Sequence, residues 1–123
     1  MALQDKPPRK TGIAHFFAAA GYSIGGLKRL AGESAFRQEA ALIAGLLLLF
    51  LVAGASLPEV LGMLAIGLVL IAVEALNTAI EVLVDHLSPG WSQFAKDAKD
   101  LGSLAVACTI GALFLYSAVA LLW

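Results

Sequence analysis

A single cysteine, Cys108, stands in a chain of 123 residues, which excludes an internal disulfide and any cysteine-based metal cluster. It lies in an apolar stretch, where it reads as a small packing residue. Charge is scarce as well. Asp, Glu, Lys and Arg make up 14% of the chain against 60% hydrophobic residues, a balance that excludes an ordinary soluble domain and falls in the membrane class. No positive charge follows Lys99, and no charge of either sign follows Asp100. Two common nucleotide-binding fingerprints are missing: no Lys-Ser or Lys-Thr pair follows the glycines at 21, 25 and 26, and no GxGxxG follows a strand. His15 and His86 lack the spacing of metal ligands, and His86 reads as an interfacial polar residue. There is no internal repeat and no low-complexity tract.

Three long apolar runs remain. Residues 40–57 carry no charge, residues 60–84 carry only Glu74 and Glu81, and residues 101–123 carry none. Each approaches the roughly 20 residues that cross a hydrocarbon core as a helix. These runs predict three transmembrane helices within one domain over 13–123, preceded by a disordered basic tail over 1–12 that favours an anionic membrane surface. A cleaved signal peptide is a poor explanation, because the first apolar run begins near residue 40 behind a polar, structured-looking lead. The net charge of −1 is uninformative, but all eight Lys and Arg residues lie at 6–37 or at 96 and 99. That bias predicts a cytoplasmic N-terminus and a cytoplasmic 85–100 loop, with the C-terminus outside.

Local signals refine this picture. Ile13, Phe16, Phe17, Ala20, Ile24, Leu27 and Ala31 follow a helical stripe, from which Tyr22, Lys28 and Arg29 fall away. The pattern predicts an amphipathic helix lying in the interface, weakened by Gly21, Gly25 and Gly26. Gly32 is expected to separate it from a second short segment over 33–39 that leads into the first span. Ser56-Leu57-Pro58 and Ser88-Pro89-Gly90 are turn signals, Trp91 and Trp123 suit an aromatic belt, and the last helix is expected to begin near Ser92. Ser103, Ala107 and Gly111 form a small-residue ridge suited to close helix contact. Three helices alone are expected to leave Glu74 poorly covered, which points to an oligomer.

The most informative feature is the acid inside the second run. A carboxylate within a span is costly and usually faces protein or water. At 100° per residue Glu74, Asn77, Glu81 and Asp85 share one helical stripe. Glu74 lies roughly 21 Å along the helix from Val60, and Glu81 about 10 Å further. Glu74 is thus deep enough to serve as a base, whereas Glu81 approaches the interface, where a carboxylate with other oxygens nearby suits Mg²⁺, a hard cation that keeps waters and binds phosphates. From spacing alone, interhelical hydrogen bonding by Glu74 and Asn77 remains an alternative. A second cluster, Lys96, Asp97, Lys99, Asp100 and Ser103, suits either phosphate neutralisation or a solvated helix end with snorkelling lysines. A third, Glu33 with Arg37, Gln38 and Glu39, suits either an i, i+4 ion pair or a site in which Glu33 binds metal and Arg37 and Gln38 meet headgroups.

Taken together, Ala20-Gly21-Tyr22-Ser23, Glu33 with Ala35-Phe36-Arg37-Gln38-Glu39, Glu74-Ala75-Leu76-Asn77 with Glu81 and Asp85, and Lys99-Asp100-Leu101-Gly102-Ser103 resemble the small bacterial integral-membrane diacylglycerol kinases. The similarity runs from about residue 13 onward. It implies an all-α membrane protein of three spans plus an interfacial helix, assembled as a homotrimer with composite sites in the bacterial inner membrane. It further implies transfer of phosphate from ATP to diacylglycerol, giving phosphatidic acid. In that scheme Glu74 is the general base and Glu33 and Glu81 hold Mg²⁺ on the ATP phosphates. Tyr22, Lys99 and Asp100 contact nucleotide, and Asn77 positions Glu74 and substrate. Ala20, Gly21, Ser23, Phe36, Arg37, Gln38, Glu39 and Ser103 line the lipid side.

The chain departs from the family pattern at several points. His15 and His86 stand where the family has arginine, Ile24 where it has tryptophan, and the segment before Glu33 is one residue shorter. Gly90, Trp91 and Ser92 occupy a nucleotide-contacting stretch with different residue types. Two rivals follow: undecaprenol kinase activity on much the same architecture, and a non-enzymatic oligomeric proton or cation pathway along the Glu74/Glu81 stripe. No nucleic-acid partner is expected.

Overall fold

In a computed structural model describing residues 3–123, the chain forms four helices: α1 (Gly12–Ala31), α2 (Ser34–Val52), α3 (Leu57–Leu87) and α4 (Gln93–Leu122). Among the described residues there is no strand. The first two residues of the expected basic tail lie outside the described residues, and residues 3–11 take no regular secondary structure. Helices α2, α3 and α4 are each long and apolar enough to cross a membrane. At 31 residues α3 extends about 46 Å, well beyond a hydrocarbon core of about 30 Å, so part of it projects past the oil.

The helix ends follow from local chemistry. Ser56 caps α3 through a capping box: its side chain accepts from the Glu59 backbone N–H, and Glu59 accepts from the Ser56 N–H at 2.8 Å. Pro58 sits in the first turn, where its missing N–H costs nothing. Ser92 caps α4 through the Ala95 N–H, and Ser88 closes α3, as the turn signals predict.

One boundary differs from expectation and another agrees with it. The first apolar run extends to residue 57, but α2 stops at Val52. Gly54 adopts φ +73°, and Ala55 and Gly54 return their N–H groups to the carbonyls of Phe50 and Leu51 at 3.0 and 3.2 Å. This is a Schellman ending, which a left-handed glycine makes possible. At the other end Gly32 separates α1 from α2, and the 33–39 segment leads into the first span, as expected. Glu33 is the N-cap of α2, and the helix continues unbroken into the apolar run.

Packing follows a single periodicity. The buried residues of α3 include Met63, Gly67, Leu70, Glu74, Asn77 and Val84, spaced by threes and fours, with half-buried Glu81 completing the series. Helix α2 contributes Glu39, Leu46 and Phe50, and α4 contributes Ala95, Gly102, Val106, Leu113 and Ser117. Alternating spacings of three and four are those of knobs-into-holes seams between helices. Phe50, Met63, Leu70 and Leu113 are wholly buried and anchor the bundle. Helix α3 packs most extensively on α4 and next on α2, whereas α1 touches α2 and α3 lightly. At the far end Tyr116 donates to the Glu59 carbonyl at 2.9 Å and stacks on Phe50, tying α4 to the start of α3.

Much apolar surface stays uncovered, including Leu48, Leu51, Leu68, Leu83 and Leu115 on the spans. The stripe of α1 is uncovered too: Ile13, Phe16, Phe17, Ile24 and Leu27 are exposed, and only Leu30 is buried. The small-residue ridge Ser103, Ala107 and Gly111 also faces outward, because α4 meets α3 through the neighbouring Gly102 and Val106 seam.

Candidate functional site

At the end of the bundle where α2 and α4 begin and α3 finishes, the apolar seam turns polar without changing its spacing. The residues that succeed Leu70 in α3 are Glu74 and Asn77, and the residue that precedes the Leu46 layer in α2 is Glu39. Glu74 is 3% exposed and Asn77 7%, both within the single chain. The expectation that one chain leaves Glu74 poorly covered is therefore wrong: α2 and α4 close over the seam on either side of it.

A groove of about 300 Å³ opens here, lined by Glu33, Glu39, Glu74, Asn77, Glu81 and Ser103. Six residues singled out from three separate sequence clusters thus meet in one place. The Glu39 and Glu74 carboxyls face each other across the α2–α3 contact. Two carboxylates facing each other away from water repel strongly, and a proton or a cation between them removes that cost. Among the described residues Glu39 Oε2 and Asn77 Oδ1 are buried without a hydrogen-bond partner, and orphaned buried acceptors of this kind call for a structural or functional reason. The Thr78 hydroxyl donates to Glu74 Oε1 at 3.4 Å.

Helix α4 contributes an absence of bulk. A Cβ at Gly102 would collide with Asn77 Oδ1, so only glycine lets the amide lie flat against α4. One turn toward the helix start, Lys99 donates to Asp85 on α3 at 2.5 Å, and Lys96 to Asp100 at 2.5 Å. Lys99, Asp100, Asp85 and the stretch Gly90, Trp91 and Ser92 line a second cavity of about 370 Å³, whose Asp85 and Lys99 lie one helical turn along α3 and α4 from Glu81 and Ser103 of the groove. The Gly90–Ser92 stretch thus shares its cavity with the lysine–aspartate pair despite its unusual residue types.

The α1–α2 corner is wired differently from the sequence pattern. Glu33 does not pair with Arg37. It accepts from Arg29 Nη1 at 2.6 Å, while Arg37 donates to the carbonyls of Ala31 and Gly32, both at 3.1 Å. Arg37 therefore caps the C-terminal end of α1, where unpaired carbonyls and the helix dipole favour a cation.

Other expected site residues stay apart from the groove. Tyr22 is exposed and lines a surface hollow with Arg9, Lys10 and His15. Ala20, Gly21 and Ser23 lie exposed on α1, the Ser23 hydroxyl donating to the Ala19 carbonyl at 3.0 Å. Phe36 is half-buried and Gln38 exposed at the start of α2. The sequence reading gave no role to Thr78, Gly102 or Arg29, although Gly102 lies within the Lys99–Ser103 match. Thr78 and Arg29 lie four residues from Glu74 and Glu33, a spacing that places each pair on one helix face. Gly102 carries no such local signal.

Comparison with known proteins places the sequence in a family. Residues 21–121 match the family model for prokaryotic diacylglycerol kinase. A diacylglycerol kinase from Sinorhizobium sp. is 48% identical over 110 residues, covering 89% of this chain and 80% of its own. Those of Escherichia coli K12 and Pseudomonas aeruginosa are 41% and 39% identical, covering 81% and 82% of this chain and 83% and 85% of theirs. With three membrane-length helices beneath a buried carboxylate groove, and relatives alike over four-fifths of its length, the chain belongs to the prokaryotic diacylglycerol kinase family, a multi-pass membrane lipid kinase.

Proposed function

We propose that the enzyme transfers the γ-phosphoryl group of ATP to the free hydroxyl of diacylglycerol, with Glu74 as the general base. The observation that carries this reading is the convergence of Glu74, Asn77, Glu39, Glu33, Glu81 and Ser103 on one groove at the polar end of the bundle. A lipid hydroxyl and a nucleotide phosphate meet only near the headgroup plane, and the groove spans the step from buried Glu74 to half-buried Glu81.

Glu74 accepts the hydroxyl proton as the alcohol attacks phosphorus and the bond to the β-phosphate oxygen breaks, releasing ADP and phosphatidic acid. Glu39 presses on the same carboxyl, Thr78 steadies one of its oxygens, and Asn77 orients the hydroxyl beside it. Among the described residues no three His, Cys, Asp or Glu form a ready-made metal cluster, but Mg²⁺ needs only one or two carboxylates beside phosphate oxygens and water. Glu33 and Glu81, on two walls of one groove, fit that demand. Bound there, Mg²⁺ would neutralise charge on the phosphate oxygens. Lys99 and Asp100 take the nucleotide, aided by Tyr22. Ala20, Gly21, Ser23, Phe36, Arg37, Gln38 and Ser103 border the path of the lipid.

The distance of Tyr22 and the start of α1 from the groove supports a homotrimer in which neighbouring chains complete the site. The exposed apolar stripe of α1, with Lys28 and Arg29 off it, supports a helix seated in the interface. Lysine and arginine placement supports an inner-membrane orientation with the groove facing the cytoplasm.

The decisive experiment is labelled-phosphate transfer from ATP to a panel of lipid alcohols, comparing wild type with Glu74→Gln. Diacylglycerol is expected to be the preferred acceptor, and Glu74→Gln to keep its helical spectrum while losing at least about a hundredfold in kcat. Unchanged turnover in Glu74→Gln would overturn the base assignment. Turnover of undecaprenol without diacylglycerol would overturn the substrate, and nucleotide-independent ion flux in liposomes would point to a conducting pathway.

A further inference from the structure

One contact at the carboxylate groove has no part in the reaction described above. Arg29 Nη1 lies 2.6 Å from Glu33 Oε1, joining the last turn of α1 to the residue that opens α2. The other cations nearby are engaged elsewhere. Lys99 is paired with Asp85 and Lys96 with Asp100, and Arg37 is committed to the Ala31 and Gly32 carbonyls. Neither lysine nor arginine lines the groove itself, although Glu33, Glu39, Glu74 and Glu81 all do. Among the described residues, Glu33 is therefore the only groove carboxylate held in a salt bridge, and Arg29 is what holds it.

A divalent cation that approaches Glu33 meets the guanidinium on the same oxygen. Either the metal takes the remaining oxygen beside a positive neighbour, or Arg29 gives way. Arg29 is free to move: its side chain is 57% exposed, and its stem borders an apolar hollow between α1 and α3 walled by Leu30, Ala79 and Val82. Arg37, four residues after Glu33, cannot take its place without uncapping α1.

We propose that Arg29 is a positioning residue that holds the Glu33 carboxylate at the groove and competes with the divalent metal for it, so that this ion pair raises the metal requirement of the kinase. The inference rests on the reading of Glu33 as a Mg²⁺ ligand. The pair is partly exposed, and such pairs are weak, so the competition is modest. It is also screened by salt.

The test uses the full chain in detergent micelles with Mn²⁺ as the probe. Bound and free metal are distinguished by the electron paramagnetic resonance signal of free Mn²⁺, at a fixed level of a non-hydrolysable ATP analogue. Arg29→Gln is expected to tighten Mn²⁺ binding about two- to fivefold, the range of an exposed ion pair, with a smaller gain at high ionic strength. Arg29→Lys should stay close to wild type. Arg29→Met keeps the apolar stem and serves if the glutamine variant misfolds. Glu33→Gln should weaken binding, and adding Arg29→Gln to it should change nothing further, since the partner is already gone.

Unchanged or weaker Mn²⁺ binding in Arg29→Gln, alongside a clear loss in Glu33→Gln, would overturn the competition while leaving Glu33 a ligand. Tightening that persists in the Glu33→Gln background would also overturn it, by showing that Arg29 acts only as a distant charge. Undiminished binding in Glu33→Gln would instead reject the metal assignment of Glu33, and this inference with it.

Discussion

Gly102→Ala offers a sharp test of how α4 holds the site. The added Cβ would collide with Asn77 Oδ1, lie 3.2 Å from Asn77 Cγ and rest at an ordinary 3.8 Å from Asn77 Cβ. The obstruction is therefore the tip of one side chain rather than the α3 backbone. Rotation of the Asn77 amide relieves it, and the helices need not separate. Overpacking a core costs about 1–3 kcal/mol when backbones must shift, so with this escape the cost should sit near about 1 kcal/mol. Activity should suffer far more than stability. Asn77 neighbours Glu74 on the seam, and a displacement of about 1 Å in a positioning group can cost about a hundredfold in rate. The assay pairs labelled-phosphate transfer in mixed micelles with thermal unfolding followed by circular dichroism. Gly102→Ala in an Asn77→Ala background should add little further loss, because the group it displaces has been removed. Full activity in Gly102→Ala, or a loss that adds in full to that of Asn77→Ala, would refute the claim that Gly102 acts through the amide.

Glu81→Gln should raise the Mg²⁺ concentration needed for half-maximal rate while leaving the rate at saturating Mg²⁺ reduced less than in Glu74→Gln; a metal titration of initial rates checks it. Thr78→Val removes the hydroxyl that donates to Glu74 and should lower kcat by roughly fivefold at most, in line with about 1 kcal/mol for a hydrogen bond and with the length of this one, with KM for ATP unchanged. Gly54→Ala forces a side chain into a left-handed position and should reduce stability by about 1–2 kcal/mol, with Gly54→Asn costing less and the folded fraction fully active. Chemical denaturation in micelles separates these two variants.

Helices, turns and the polar stripe were legible in the chain because each depends on neighbours within a few residues. Apolar runs near 20 residues long, Ser56 and Ser92 as caps, and Ser88-Pro89-Gly90 as a break all act locally. The spacing of Glu74, Asn77 and Glu81 likewise needs no partner to define a face. Even the end of α2 had its local cause in Gly54, although hydrophobicity alone ran on past it. The pairing of Glu33 was left open because two arginines, at 29 and 37, both lie four residues away. Sequence spacing cannot choose between them, whereas the angle between α1 and α2 delivers one to the carboxylate and the other to the carbonyls.

Composition and periodicity therefore dictated that three apolar helices form and that acids lie along one face of the middle one. Which groups those acids meet was decided only by tertiary packing. Glu39 opposite Glu74, Gly102 beneath Asn77 and Lys99 beside Asp85 all depend on the rotation and register of helices far apart in the chain. That register is set by how Phe50, Met63, Leu70 and Leu113 interlock. Close-packed side chains admit few alternative alignments, so the apolar half of the seam aims the polar half.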